Sequence, residues 1–260
     1  MKPDYKNWMP KGMVYSFLFA FLGCAAALPV FRLALPEGLL KEILTVAFAV
    51  LTLVFCVMAK WSIMMYRAFD YNGTRQMSRH IIDGTAAYVK LPDGARCLDV
   101  GCGSGALTIA VAKRNPKAEV VGIDRWGKEY ASFSKTLCED NAKAENVTNV
   151  SFRQGDATHL DFPDETFDAV TSNYVYHNIP GDRQAYLLET LRTLKKGGTF
   201  AIHDLMSRTK YGDMDAFIKK LREMGYQKVE LIDTTGGMFM KKSEAAWMML
   251  SGSALLVGVK

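Results

Sequence analysis

The chain has 260 residues, 49% of them hydrophobic, with 32 Lys and Arg against 27 Asp and Glu and a formal net charge of +5. A mean hydropathy of +0.00 and an isoelectric point of about 8.8 describe locally concentrated apolar sequence, not the dense basic patch that nucleic acid requires. The five cysteines, at 24, 56, 97, 102 and 138, lack the paired spacing of a zinc site or a disulfide framework, so no metal is expected.

Met13 to Phe31 is almost unbroken apolar sequence, and Ile43 to Ala59 is a second such run. Each approaches the roughly 20 residues that span a bilayer as a helix. Pro36 and Gly38 predict a tight turn between them, hence a transmembrane hairpin with a juxtamembrane helix over residues 1–71. Lys2, Lys6 and Lys11 precede the hairpin; Lys60, Arg67, Arg75 and Arg79 follow it. The positive-inside rule then expects a multi-pass protein of the cytoplasmic membrane, with both ends and the remaining chain in the cytoplasm. Trp8, Trp61, Tyr66 and Tyr71 stand where interfacial aromatics belong. A signal peptide ending at Ala25–Ala27, a lipoprotein-like site at Cys24, and a buried hairpin of a soluble core or oligomer are the alternatives. The first two leave the second run unexplained.

Beyond the hairpin, Arg75 to Val89 has the apolar spacing of a helix. Ala95 to Val100 predicts a buried strand that runs through Gly101, Gly103 and Gly105 into a helix over Ala106–Lys113. Such a strand–glycine–helix unit makes a nucleotide-type cradle, because glycine admits the ligand and the helix start offers free N–H groups. Cys97 and Cys102 flank it as small packing residues. Further strands are expected at Val120–Asp124, Val150–Gln154, Phe167–Asn173, Thr199–Leu205, Lys228–Asp233 and Ala254–Lys260. Helices are expected at Lys128–Lys143, Asp182–Leu194 and Tyr211–Met224, with Lys195–Gly198 as a helix stop. The Met-rich stretch Thr234–Gly252 is expected as a lid, a bilayer contact or ordinary core.

Gly101, Gly103 and Ala106 satisfy the dinucleotide pattern G-x-G-x-x-A. The longer string Asp99-Val-Gly101-Cys102-Gly103-Ser-Gly105 resembles motif I of class I S-adenosylmethionine (SAM) methyltransferases. Phe167–Asn173 running into Tyr174-Val-Tyr-His177 resembles motif IV of the small-molecule members, and Leu-Lys-Lys-Gly-Gly at 194–198 is also similar to the family. The likeness covers roughly residues 73–260 and is nearest the ubiquinone/menaquinone-type group. It implies a doubly wound α/β fold with a seven-stranded, mostly parallel sheet over residues 72–260, and SAM as cofactor. The Asn/Asp-Pro-Pro-Tyr form of amino-group DNA methyltransferases is absent, which disfavours a nucleic-acid substrate.

The expected cofactor residues are Asp99, Gly101, Cys102 and Gly103 in the cradle, and Asp124, Arg125 and Trp126 after the second strand. Asp156, Ala157 and Asn173 complete the set. Asp99 would meet the ammonium and sulfonium end, and Asp124, about 20 residues beyond the glycines, the ribose hydroxyls. The family implies Asp156 as acceptor from the adenine amine; as a plain residue it is a turn former. Trp126 either packs on adenine or simply caps the strand. His177, His203, Tyr174 and Asp204 are candidates for a base, needed only where the acceptor must lose a proton. The expected acceptor is a hydrophobic small molecule, because a membrane-held domain gains effective concentration for one. A membrane-anchored NAD-dependent oxidoreductase, a non-catalytic SAM-binding module and a protein-methylating enzyme stand as alternatives, and the sequence leaves the oligomeric state open.

Overall fold

The computed structural model describes residues 2–127 and 132–260. They form two compact units, residues 7–78 and residues 2–6 together with 79–260. Residues 2–6, read from sequence as part of the hairpin, group with the larger unit.

The smaller unit is two helices, α1 (Lys11–Ala34) and α2 (Leu39–Phe69), joined by residues 35–38. At about 1.5 Å per residue they are about 36 and 46 Å long, against a hydrocarbon core of about 30 Å. No residue of α1 is buried, and Phe19, Leu33 and Leu53 present 68%, 87% and 66% of their surface. The hydroxyls of Thr45 and Thr52 donate to the carbonyls of Lys41 and Phe48 one turn back, so these polar groups are satisfied within α2. Phe31 meets Phe48 edge-on at 4.8 Å, and the Asn7 amide donates to the Tyr66 carbonyl.

From residue 79 the larger unit holds most of α3 (Met77–Ala86) and then alternates strand and helix. Its elements are β1 (Arg96–Val100), α4 (Ala106–Arg114), β2 (Glu119–Asp124), α5 (Lys135–Ala144), β3 (Val150–Gln154) and β4 (Phe167–Asn173). They continue with α6 (Arg183–Arg192), β5 (Leu194–Leu205), α7 (Arg208–Tyr211), α8 (Met214–Glu223), β6 (Gln227–Asp233), α9 (Lys242–Trp247) and β7 (Ser253–Val259). The sheet order is β3-β2-β1-β4-β5-β7-β6, parallel except for β7. This is the seven-stranded fold the motifs implied. The antiparallel β7 between β5 and β6 departs from the 3-2-1-4-5-6 order of a dinucleotide-binding sheet. Leu98, Val100, Val170, Ile202 and Leu256 from adjacent strands are fully buried and centre the core.

Three element boundaries differ most from the sequence reading. Lys195–Gly198 is not a helix stop: α6 ends at Arg192 with Thr193 as its cap, and β5 runs from Leu194 with Gly197 and Gly198 bonded to Lys260. The helix expected over Tyr211–Met224 is split, because Gly212 adopts φ +75° and Asp213 caps a new helix through the Ala216 N–H. The helix expected from Lys128 starts at Lys135 with Ser134 as its cap; residues 128–131 lie outside the described part.

Candidate active site

The carboxyl ends of β1, β2, β4 and β5 bring the predicted residues to one edge of the sheet. After β1 the chain turns through Gly101 at φ +74°, Gly103 at +54° and Gly105 at +81° into α4. A Cβ on Gly101 would lie 2.2 Å from Val175 Cγ2, so only glycine lets the loop pass beneath that side chain. The N–H groups of Gly101 and Cys102 both donate to the Ile123 carbonyl, and that of Gly103 donates to Asp124 Oδ2 at 2.9 Å. The loop is thus tied down on β2 and leaves the first turn of α4 at the sheet edge.

Asp124 ends β2. Its second oxygen accepts the Trp126 N–H at 2.7 Å, and Trp126, at φ +45°, donates its indole N–H to the Gly103 carbonyl. Trp126 is therefore anchored against the loop, while Arg125 is exposed beside it. Asp156 follows β3 and is exposed, with Ala157 partly buried next to it. The Thr158 backbone N–H and hydroxyl both bond Asp156 Oδ1 and hold its carboxyl below the usual range, so it stays an ionised acceptor.

Asp99 is placed otherwise than the sequence suggested. It is 1% exposed, and both its oxygens are taken: Thr108 of α4 donates at 2.6 Å and Thr171 of β4 at 3.0 Å. Thr171 stands directly opposite Asp99 in the β1–β4 register, which brings its hydroxyl to that oxygen. Asp99 ties α4 and β4 together beneath the glycine loop. Cys102 is likewise buried, and burial pushes its thiol up, so it stays neutral.

Burial also pushes the Asp99 carboxyl from its ordinary 3.8 up to about 7, against the pull of the two hydroxyls. The fold therefore favours the neutral form. That contribution is fully present below about pH 4 and is lost as pH rises through about 7. Chemical denaturation at pH 5 and pH 8 is expected to show wild type losing stability relative to Asp99→Asn on going to the higher pH. A difference that does not change with pH contradicts this assignment.

The four candidate bases separate clearly. His203 on β5 is fully buried, paired in register with Asn173 on β4. Its Nδ1 bonds Asn173 Oδ1 at 2.9 Å and its Nε2 bonds Thr234 Oγ1 at 3.0 Å. Burial lowers it from 6.5 to about 3, so it is neutral near pH 7 and has no free nitrogen with which to take a proton. Tyr174, at φ +54°, shares a hydrogen bond with Ser253 Oγ at 2.7 Å, and burial pushes its phenol up, so it remains protonated.

His177 and Asp204 form a pair. His177 lies in a single 3-10 turn (Tyr176–Asn178) after β4, and its Nδ1–H donates to Asp204 Oδ1 at the end of β5. Asp204 is fully buried and also accepts the Tyr211 hydroxyl at 2.7 Å and the His177 backbone N–H at 3.2 Å. Burial alone would raise its carboxyl, but the bonds from His177 and Tyr211 outweigh that and hold it low. The Tyr174 ring stands edge-on to both imidazoles, 5.8 Å from His177 and 4.7 Å from His203. Phe239, from the segment between β6 and β7, packs edge-on against His203 at 5.3 Å. That segment has a buried side at Met240 and an exposed one at Met238, Trp247 and Met249. Tyr211 and Ser253 also belong to this site but carry no local motif. Only the strand register and the chain reversals bring them in.

A cradle that only glycine can form, with the Asp124 and Asp156 carboxyl groups spaced along its rim, fits an adenosine-bearing cofactor. A family model described as a methyltransferase domain matches residues 91–249. An uncharacterised methyltransferase of Schizosaccharomyces pombe is 38% identical over 48% of this chain and 45% of its own length. The demethylmenaquinone methyltransferase of Geobacillus sp. (strain WCH70) is 29% identical over 73% of this chain and 77% of its own. A match to the same-named enzyme of Lactobacillus johnsonii, 36% identical, again spans less than half of the relative, at 45%. Among solved structures, the [4+2]-cyclase SpnF has a TM-score of 0.56 at 20% identity, covering 74% of this chain and 85% of that one. Geranyl diphosphate methyltransferase, solved with GPP and sinefungin, also has a TM-score of 0.56, at 14% identity, covering 75% of this chain and 83% of its own. These two likenesses carry the fold.

Proposed function

The chain belongs to the methyltransferase-domain family, and from that premise we propose that it transfers a methyl group from SAM to an apolar, quinone-type small molecule while anchored in the cytoplasmic membrane by its hairpin. The observation that carries the chemistry is the placing of the glycine loop and the His177–Asp204 pair at one edge of the sheet. SAM supplies a methyl carbon on a sulfonium, already activated for in-line displacement. Asp124 accepts from the ribose hydroxyls and Asp156 from the adenine amine, while Trp126 offers its ring to the adenine face. Gly101 and Gly103 would admit the cofactor against the backbone, and Asn173, at the carboxyl end of β4, would face its methionine end. Asp204 fixes the His177 tautomer with the proton on Nδ1, which leaves Nε2 to receive a proton from the acceptor. Alignment of acceptor and methyl carbon supplies the rest, since positioning alone reaches effective molarities of about 10⁵ M or more.

The names of the demethylmenaquinone relatives support a quinone-type acceptor. The two apolar helices support membrane anchoring by length and composition. Residues 2–6 fold with 79–260, so the chain leaves and re-enters one unit, as a hairpin with both ends on one side requires. The Lys and Arg residues flanking the hairpin support a cytoplasmic side for both ends. The oxidoreductase alternative loses its support, because the sheet order is not that of a dinucleotide fold.

The full-length protein is expected to sediment with membranes after lysis, to resist alkaline carbonate and to be released by detergent. Purified in detergent and given methyl-tritiated SAM with a membrane lipid extract, it is expected to place label in the organic phase. Recovery in the soluble fraction without detergent contradicts the anchor. Label on a water-soluble acceptor alone contradicts the apolar substrate.

A further inference from the structure

Residues 2–6 precede the first apolar helix, yet they bond to the helix that braces the glycine loop. Asn141 of α5 is 2% exposed and uses its whole amide. Its Oδ1 accepts the Asp4 N–H at 2.7 Å, and its Nδ2 donates to the Asp4 carbonyl at 3.0 Å and to the Ser104 carbonyl at 2.9 Å. One side chain thus joins the backbone of the N-terminal segment to the backbone of the loop. One turn earlier on α5, the Cys138 thiol donates to the next loop carbonyl, Gly103, at 3.2 Å.

The segment is held at a second point. Tyr5 is 4% exposed, and its hydroxyl donates to Glu145, which also receives Lys113 from α4 at 2.7 Å. Asp4 Oδ1 then accepts the Lys6 N–H, and Lys6 adopts φ +57°, which turns the chain out of the docked segment. Only residues 7–10 lie between this turn and α1.

We propose that residues 2–6 are a positioning clasp: through Asn141 they hold the glycine loop in its cofactor-binding shape, so the segment leading into the first membrane helix sets the affinity for the cofactor. An Asn141 amide without Asp4 is left with a buried donor and acceptor to satisfy, and the cheapest remedy is to turn away from Ser104. The proposal rests on the reading of the glycine loop as the SAM cradle.

The test uses the full chain in detergent and calorimetric titration with S-adenosylhomocysteine. Three variants are compared with wild type: deletion of residues 2–6, Asn141→Ala, and both together. Each single change is expected to weaken binding about ten-fold, within the usual range of coupling between linked sites. The double is expected to be no weaker than either single, because both cut the same link. The deletion is also expected to raise the KM for SAM without changing kcat at saturation, and to speed amide exchange at residues 103–106 but not in β4. If the deletion lowers Tm, Asp4→Pro, which removes the N–H that Asn141 accepts, is read against Asp4→Ala, which removes the same carboxylate but keeps that N–H. Unchanged affinity in the deletion, or additive losses in the double, overturns the clasp. Asp124→Ala, run alongside, separates the two readings: if it too binds normally, the cradle itself is wrong; if it alone fails, only the clasp is.

Discussion

An His177→Ala variant is expected to lose kcat by about 10²–10⁴-fold on an acceptor that must shed a proton, the usual contribution of a positioned general base. The affinity for S-adenosylhomocysteine is expected to stay within about two-fold of wild type, because His177 touches the acceptor side of the site. Geometry eliminates the other candidates. His203 has both ring nitrogens bonded, and the Tyr174 phenol is buried, bonded and pushed up. Only His177 combines an oriented ring with 12% exposure of its side chain, and its Asp204 partner is held ionised. Asp204→Asn retains the shape of the pair and removes its charge, so it is expected to lose kcat in the same direction with SAM binding retained. Single-turnover rates with saturating SAM measure both. Wild-type kcat in His177→Ala would exclude this histidine as the base.

Replacing Asp124 by alanine is expected to weaken S-adenosylhomocysteine binding by a factor of about 10² or more. Two ribose hydroxyls bonded to a carboxylate are worth about 3 kcal/mol or more together, which converts to that factor. The carboxylate also accepts the N–H groups of Gly103 and Trp126, so its loss loosens the loop as well. Asp124→Asn separates these two roles, since one amide oxygen still serves Gly103 while the charge is gone. Its binding is expected to fall between wild type and Asp124→Ala. Titration calorimetry on the detergent-solubilised protein reads both values.

The sheet and its cofactor loop were legible because their signals are local. The glycines of 101–105 and the apolar runs of β1, β2 and β4 are written in consecutive residues. The two apolar helices were legible for the same reason. What escaped depends on partners distant in the chain. Asp99 at a strand end reads like a ligand, and only the register that sets Thr171 opposite it shows a buried strut. The Tyr174–Ser253 bond joins residues 79 apart, and no spacing rule could anticipate it. Residues 2–6 carry a plain polar sequence ahead of an apolar helix, so nothing in them announces Asn141 as a partner. The catalytic candidates were chosen by residue type and by their place at strand ends. Burial, which sequence reports poorly for a histidine, then divided His203 from His177.

A structure of the full-length protein with S-adenosylhomocysteine bound tests the central claim most directly. The ribose hydroxyls are expected within about 3 Å of the Asp124 carboxylate, with the adenine amine at Asp156 and the sulfur facing the space before His177 Nε2. A nucleoside seated away from Asp124, or a sulfur turned from His177, would contradict it.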